Sequence, residues 1–243
     1  MSSHVKLNNL NKYMLTSKKL SLLVKKCPVR IIHNKKRYIH KSSKKYFIPN
    51  YDDKLFWIFY VLLNGHENYE LITSNFYQVQ QEEKMKWMKK ILENKQILKQ
   101  HNFKKIKESC DDLINCKELS IRLFHMLCVV YNIPFLYIKG NICYEFKLDD
   151  NIEDANETNV IHYINDIYCY EKVENNEIIV NIKAIKQIVN DYERPLKSLG
   201  SYKIEDLHVF ATKFNISLIN GVKKRTKKEL YDILYEIFYG NEE

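Results

Sequence analysis

No aspartate or glutamate occurs in the first 50 residues, where 11 lysines and 2 arginines give a formal +13, against +9 for all 243 residues. Everything beyond that point sums to −4, from 26 basic and 30 acidic side chains. A cationic block segregated in this way is an electrostatic tool for a polyanion, because scattered lysines would serve solubility equally well. Nucleic acid, an anionic membrane and an organellar import machinery are the polyanionic partners it fits. Residues 1–50 are therefore read as an arm, and the fold is expected to come from the rest. Within the arm, Tyr13 to Val24 has the spacing of a short amphipathic helix that Cys27–Pro28 ends, and residues 29–39 alternate loosely, like a hairpin. The cations expected to contact a polyphosphate are Lys18, Lys19, Lys25, Lys26, Arg30, Lys35, Lys36, Arg37, Lys44 and Lys45.

Lysine, asparagine, isoleucine and tyrosine are abundant throughout, as AT-rich coding sequences produce. Codon bias does not explain why acids vanish from one segment only. With 5 glycines and 4 prolines the chain is poor in turn formers, which argues for substantial helix. Its 6 cysteines form no CxxC and lie at no zinc-finger spacing from a histidine pair, so they are expected to be reduced, mostly buried, small apolar residues. The start of the chain has no apolar core of a secretory signal. The longest apolar run, Leu55 to Leu63, is too short to span a membrane. A soluble protein of a reducing compartment is expected.

The body, residues 51–195, opens at Asp52-Asp53, either of which caps a helix from Lys54 to Leu63 that Asn64–Gly65 stops. A long helix follows, from Gln78 to Gln100, with Met85, Met88, Ile91, Leu92 and Leu98 inward and Lys84, Lys86, Lys89, Lys90 and Lys95 in water. Further helices are expected at 104–114 and 120–131. The period then switches to two. Residues 135–139 and 142–146 flank Gly140–Asn141 as a hairpin, and two more strands are expected at 160–164 and 167–173. Residues 178–192 read as a helix that ends before Pro195. The expected class is α+β and mainly helical: a helical body with a small antiparallel sheet, plus a two-helix module at 196–243.

In that module Ser201 opens a first helix with Ile204, Leu207, Phe210 and Ala211 on one face. A turn at 217–222 and the basic run Lys223-Lys224-Arg225 lead to Thr226, which has Glu229 three residues on, the spacing of a capping box. The second helix then turns Leu230, Ile233, Leu234 and Ile237 inward. Lysines at its positive end would form an anion site for phosphate oxygens.

Tyr202-Lys203-Ile204-Glu205-Asp206-Leu207, Phe214-Asn215-Ile216 and Lys227-Lys228-Glu229-Leu230-Tyr231 resemble the opening, the middle and the second-helix start of the SAP domain. The helix–extended-loop–helix of bacterial Rho termination factors is similar. The resemblance covers the C-terminal module alone, and the loop between the two helices is longer than the family pattern. It implies DNA binding, with Lys223, Lys224, Arg225, Lys227 and Lys228 as phosphate contacts.

Catalytic signatures are missing from the sequence. There is no GxxxxGK[ST], GxGxxG, HExxH, GxSxG or DxDxDG. The acid pairs Asp52-Asp53, Asp111-Asp112 and Asp149-Asp150 point apart on any regular element, and read as caps or linker charge. Asp52-Asp53-Lys54-Leu55-Phe56-Trp57 resembles the opening of some cysteine-peptidase catalytic helices, with His162 as the would-be base. No cysteine lies between Tyr51 and Ser109, so this resemblance implies an inactive relative. His33, His40, His66, His101 and His125 read as ordinary surface or core histidines, and the two tryptophans and the tyrosines as core residues in preference to base-stacking platforms.

The expectation is a non-enzymatic DNA-binding protein without catalytic residues, cofactor or metal. Two basic ends engage duplex phosphates with weak sequence selectivity, and the body is open to a protein partner. The alternatives are a scaffold protein, or an inactive cysteine-peptidase-like body, whose basic ends only localise it, and an import arm. The overall style resembles proteins of large DNA viruses, which places the chain in nucleus, viral factory or virion and in transcription, genome packaging or repair.

Overall fold

Five helices open the body: α1 (Lys54–Glu70), α2 (Phe76–Glu93), α3 (Lys95–Gln100), α4 (Ile106–Asn115) and α5 (Ile121–Val130). The computed structural model describes residues 46–147, 157–220 and 223–239. The ten arm cations, and the helix and hairpin expected at 13–24 and 29–39, lie outside them. Asp53 is the residue that caps α1, its Oδ1 accepting from Phe56 N–H at 3.1 Å. Leu55 through Phe59 are all buried, as a run apolar on every side must be. The expected stop at Asn64–Gly65 is a kink: Gly65 has φ 82° and ψ 162°, and the helix resumes to Glu70. Tyr69 explains the return. Its ring packs on Phe47, Tyr51 and Trp57, and its hydroxyl accepts the Asn50 N–H at 2.7 Å.

The single helix expected at 78–100 is two, broken at Asn94 (φ −106°, ψ 28°). Met88, Ile91, Leu92 and Leu98 face inward as expected, but the stripe takes in position 84 and leaves out position 85. Lys84, expected in water, is 1% exposed, and Met85, expected inside, is 45% exposed. Lys84 shares the stripe of Trp87 and Ile91, three and seven residues on, and burial follows that geometry because polar partners await its ammonium.

The strands are β1 (Phe135–Lys139), β2 (Ile142–Phe146), β3 (Thr158–Ile164), β4 (Ile167–Val173) and β5 (Gln187–Ile188), in the order β4-β3-β1-β2-β5. The sheet is mixed, which corrects the expected antiparallel one. Both hairpins are antiparallel, but β3 pairs with the outer edge of β1 in parallel. The reason is topological. β2 returns the chain to the level where β1 starts, so a strand that begins there and skips over β1 must run in the direction of β1. β5 then pairs with β2 in parallel. It takes residues expected to be helical: α6 (Asn176–Ile185) stops at Lys186, which is extended (φ −84°, ψ 153°). Gln187 and Val189 N–H instead bond the carbonyls of Asn141 and Cys143 at 2.8 and 2.9 Å.

One face of the sheet presents Phe135, Tyr137, Phe146 and Ile161 to the helices of the main core. The other presents Leu136, Ile138, Cys143, Val160 and Val173 to Ile179 of α6. Phe47 bridges Tyr170 through two backbone hydrogen bonds of 2.7 and 2.9 Å, which lays the chain ahead of α1 along the edge of β4. The class is α+β and mainly helical.

After a 3₁₀ turn at Leu199–Ser201 come α7 (Ile204–Lys213), a two-stranded ribbon of β6 (Ile219–Asn220) and β7 (Lys223–Lys224), and α8 (Lys227–Tyr239). Ser201 belongs to the 3₁₀ turn and does not cap α7. Instead Lys203 N–H donates to Asp206 Oδ2 at 2.7 Å. Leu207 and Ala211 of α7 and Leu230, Leu234 and Phe238 of α8 share a core with Ile142, Val189 and Leu196. Phe238 therefore belongs to the inward face of α8, on which Ile233 and Ile237 are only partly buried.

Candidate nucleic-acid interface

The five basic residues singled out at the C-terminal end fall on the ribbon and the first turn of α8. Lys223 and Lys224 form β7, paired with Asn220 and Ile219, and both are exposed. Arg225 is half-buried. Its backbone N–H donates to Leu218 O at 2.9 Å and its Nε to Ser217 O at 2.9 Å, so the guanidinium clips the ribbon closed while keeping its charge at the surface. Thr226 and Glu229 form the expected capping box. Glu229 Oε2 accepts from Thr226 N–H at 2.7 Å and Oγ1–H at 3.0 Å, and Thr226 Oγ1 accepts from Glu229 N–H at 3.3 Å. Lys227 and Lys228 follow on the first turn, half-buried and exposed.

The capping box changes the electrostatics expected at this helix end. Bonds from Thr226 backbone and side chain, with Arg225 nearby, hold the Glu229 carboxyl below its usual range. A permanent anion already answers the positive end of α8. Phosphate binding here would thus rest on side-chain ammonium groups around a capped helix end, and not on free helix N–H groups. Residues 196–243 carry eight basic and seven acidic side chains, so the module is nearly neutral, with its cations gathered at 223–228. Lys223, Lys224, Lys227 and Lys228 have no carboxylate within ion-pair distance among the described residues.

Three buried polar sites lie in the body. Asp53, besides capping α1, accepts Leu119 N–H at 2.9 Å and Gln80 Nε2–H at 2.9 Å. Lys84 Nζ stands 3.8 Å from it and donates to the Cys116 carbonyl at 2.9 Å. This node ties the start of α1 to α2 and to the loop before α5. Burial raises the carboxyl of Asp53, against its backbone bonds and Lys84, which lower it. The second site is His162, whose Nε2 lies 3.0 Å from Glu171 Oε2 across β3 and β4. On the same face the Cys169 thiol, pushed up to about 11 mainly by burial, donates to the His162 carbonyl. The third is His125 on α5, between the hydroxyls of Tyr192 (3.4 Å) and Tyr144 (3.3 Å), with burial lowering it to about 4.

Sequence reading singled out His162 but missed its partner. The signal was the Asn165–Asp166 pair, whose φ angles of 51° and 61° suit a tight two-residue turn. That turn sets Ile164 opposite Ile167, hence His162 opposite Cys169 and diagonal to Glu171. Among the described residues, no three His, Cys, Asp or Glu side chains are arranged to hold a metal, and no helix is long and apolar enough to cross a membrane.

Comparisons of the chain with family models, curated proteins and solved structures returned no match.

Proposed function

We propose that the chain is a non-enzymatic DNA-binding protein that engages phosphates through its acid-free arm and through the basic ribbon and helix start at 223–228. One observation carries the reading. Four lysines unpaired with any described carboxylate share six consecutive residues whose backbone is fixed by a ribbon, an arginine clip and a capping box. A fixed backbone lowers the ordering cost of contact, and the +13 arm supplies a second, linked site. Contact through ammonium groups carries no base code, so binding would be weakly sequence-selective and steeply dependent on salt. Roles in transcription, genome packaging or repair all suit such a protein.

The test is a gel-shift salt titration of the full chain on duplex DNA, beside the variant with Lys223, Lys224, Lys227 and Lys228 all changed to Gln. For every phosphate that one of these lysines neutralises, the slope of log K against log salt should flatten by about 0.9 in the variant. A variant that binds with the affinity and slope of the parent removes the C-terminal interface. A parent that ignores DNA in dilute buffer removes the reading.

A further inference from the structure

The helix-facing side of the sheet ends in a cleft of about 340 Å³ beyond the start of α5, and tyrosines dominate its walls. Tyr137 and Lys139 come from β1, Tyr168 from β4, Tyr192 and Glu193 from the segment after β5, and Tyr239 from the end of α8. Strand alternation explains the grouping. Tyr137 and Lys139 are two apart and share a face; Tyr163 of β3 stands opposite Lys139, and Tyr168 of β4 stands opposite Tyr163. Tyr137 and Tyr168 lie 6.5 Å apart at 33°, and Tyr192 stands edge-on to Tyr137 at 5.8 Å. At the mouth are one exposed cation, Lys139, and one exposed carboxylate, Glu193.

Tyr137 is buried, so the ring surface open to a ligand belongs to half-buried Tyr168 and Tyr192 and to exposed Tyr239, and aromatic surface with a few polar groups fits a flat ring better than an aliphatic chain. A mouth with one positive and one negative group fits a ring that offers N–H donors and carries an anion on its attachment. We infer that the cleft takes one unpaired nucleobase of single-stranded DNA, stacked on the tyrosines, with its phosphate at Lys139 and its N–H edge toward Glu193. Protein sites for single strands pair aromatic stacking with basic groups along the backbone in this way. The cleft also has a fixed place on the proposed interface. Lys227 opens α8 and Tyr239 closes it, about 18 Å away at 1.5 Å per residue, or the rise of about five nucleotides. This inference rests on the DNA-binding reading and deepens it from phosphate contact to base capture.

The test uses the full chain, an eight-residue oligothymidylate carrying one central 2-aminopurine, and a duplex of the same length. Binding should quench the 2-aminopurine by stacking. Lys139→Glu, at an exposed position that does not threaten the fold, and Tyr168→Ala should each weaken single-strand binding roughly tenfold, the size of one base stack or one phosphate interaction. Duplex binding should stay within twofold for both. An unquenched base overturns the inference, as does parental single-strand affinity in the Lys139→Glu variant. If the duplex is still bound in that case, the proposed function stands without the cleft. Cleft-dependent capture of the single strand without duplex binding would support the cleft and remove the duplex reading, and binding to neither removes both.

Discussion

Acid should unfold this protein in part through one histidine. His125 sits within a cage of Phe103, Phe135 and Phe146, its two nitrogens facing Tyr192 and Tyr144. A neutral imidazole donates one hydrogen bond and accepts one, so one tyrosine accepts and the other donates. Protonation makes both nitrogens donors and places a charge where burial, then His101 and Arg122, oppose it. These lower the pKa from 6.5 to about 4. The folded value lies below the unfolded one. Stability from the neutral ring is therefore complete above pH 6.5 and is lost as pH falls toward 4. Between pH 7 and pH 4 the loss is about 3 kcal/mol, at 1.36 kcal/mol per pK unit. Urea unfolding of the parent and of His125→Phe at pH 7, 5.5 and 4 isolates this contribution. The phenyl ring keeps the aromatic packing, and the two hydrogen bonds it takes from the tyrosines are a constant offset. The parent should lose about 3 kcal/mol more than the variant over this range. Equal losses in the two proteins would refute a neutral buried ring.

Two further outcomes follow from buried or capped polar groups. Asp53→Ala should destabilise by about 3 kcal/mol in urea unfolding, because it removes the α1 cap and leaves Lys84 without its buried partner. Adding Lys84→Met should recover part of that loss, and a double variant as unstable as the sum of the singles would show the pair to be uncoupled. Thr226→Ala should cost about 1 kcal/mol of stability and should leave the duplex salt slope unchanged, since the cap shapes α8 without touching phosphate in the proposed mode.

Local chemistry was legible in the sequence, and long-range pairing was not. Gly140–Asn141 between two β-rich runs announces the β1–β2 hairpin, and Thr226 with Glu229 announces the start of α8, because each signal lies within four residues. The sheet order depends on which free edge the second hairpin finds, a choice made by packing between segments far apart in the chain, so its mixed character stayed hidden. Lys84 misled for a different reason. A lysine is among the residues least often buried, and its burial depends on Asp53 and the Cys116 carbonyl, 31 and 32 residues away. The cleft was hidden in the same way. Tyr137, Tyr168, Tyr192 and Tyr239 read singly as core residues, and only the sheet and α8 bring them to one wall.

The C-terminal helices cannot be treated as a detachable hand. Ile142 of β2 and Val189 after β5 are part of the core that buries Leu207, Leu230 and Leu234. Lys213 Nζ donates to the Lys186 carbonyl at 2.7 Å. A fragment of residues 196–243 would lack Ile142 and Val189 and would expose the apolar side chains they cover on both helices, so its failure to bind DNA would report broken packing as readily as a wrong function. The same docking gives the basic segment a fixed orientation relative to the sheet. Four lysines on a mobile tail would lack that orientation and would have to be ordered at each encounter, whereas lysines on a docked helix are ordered by folding. In this protein the apolar core that α8 shares with Ile142 of β2 is therefore part of the proposed interface, because it holds the four lysines in place.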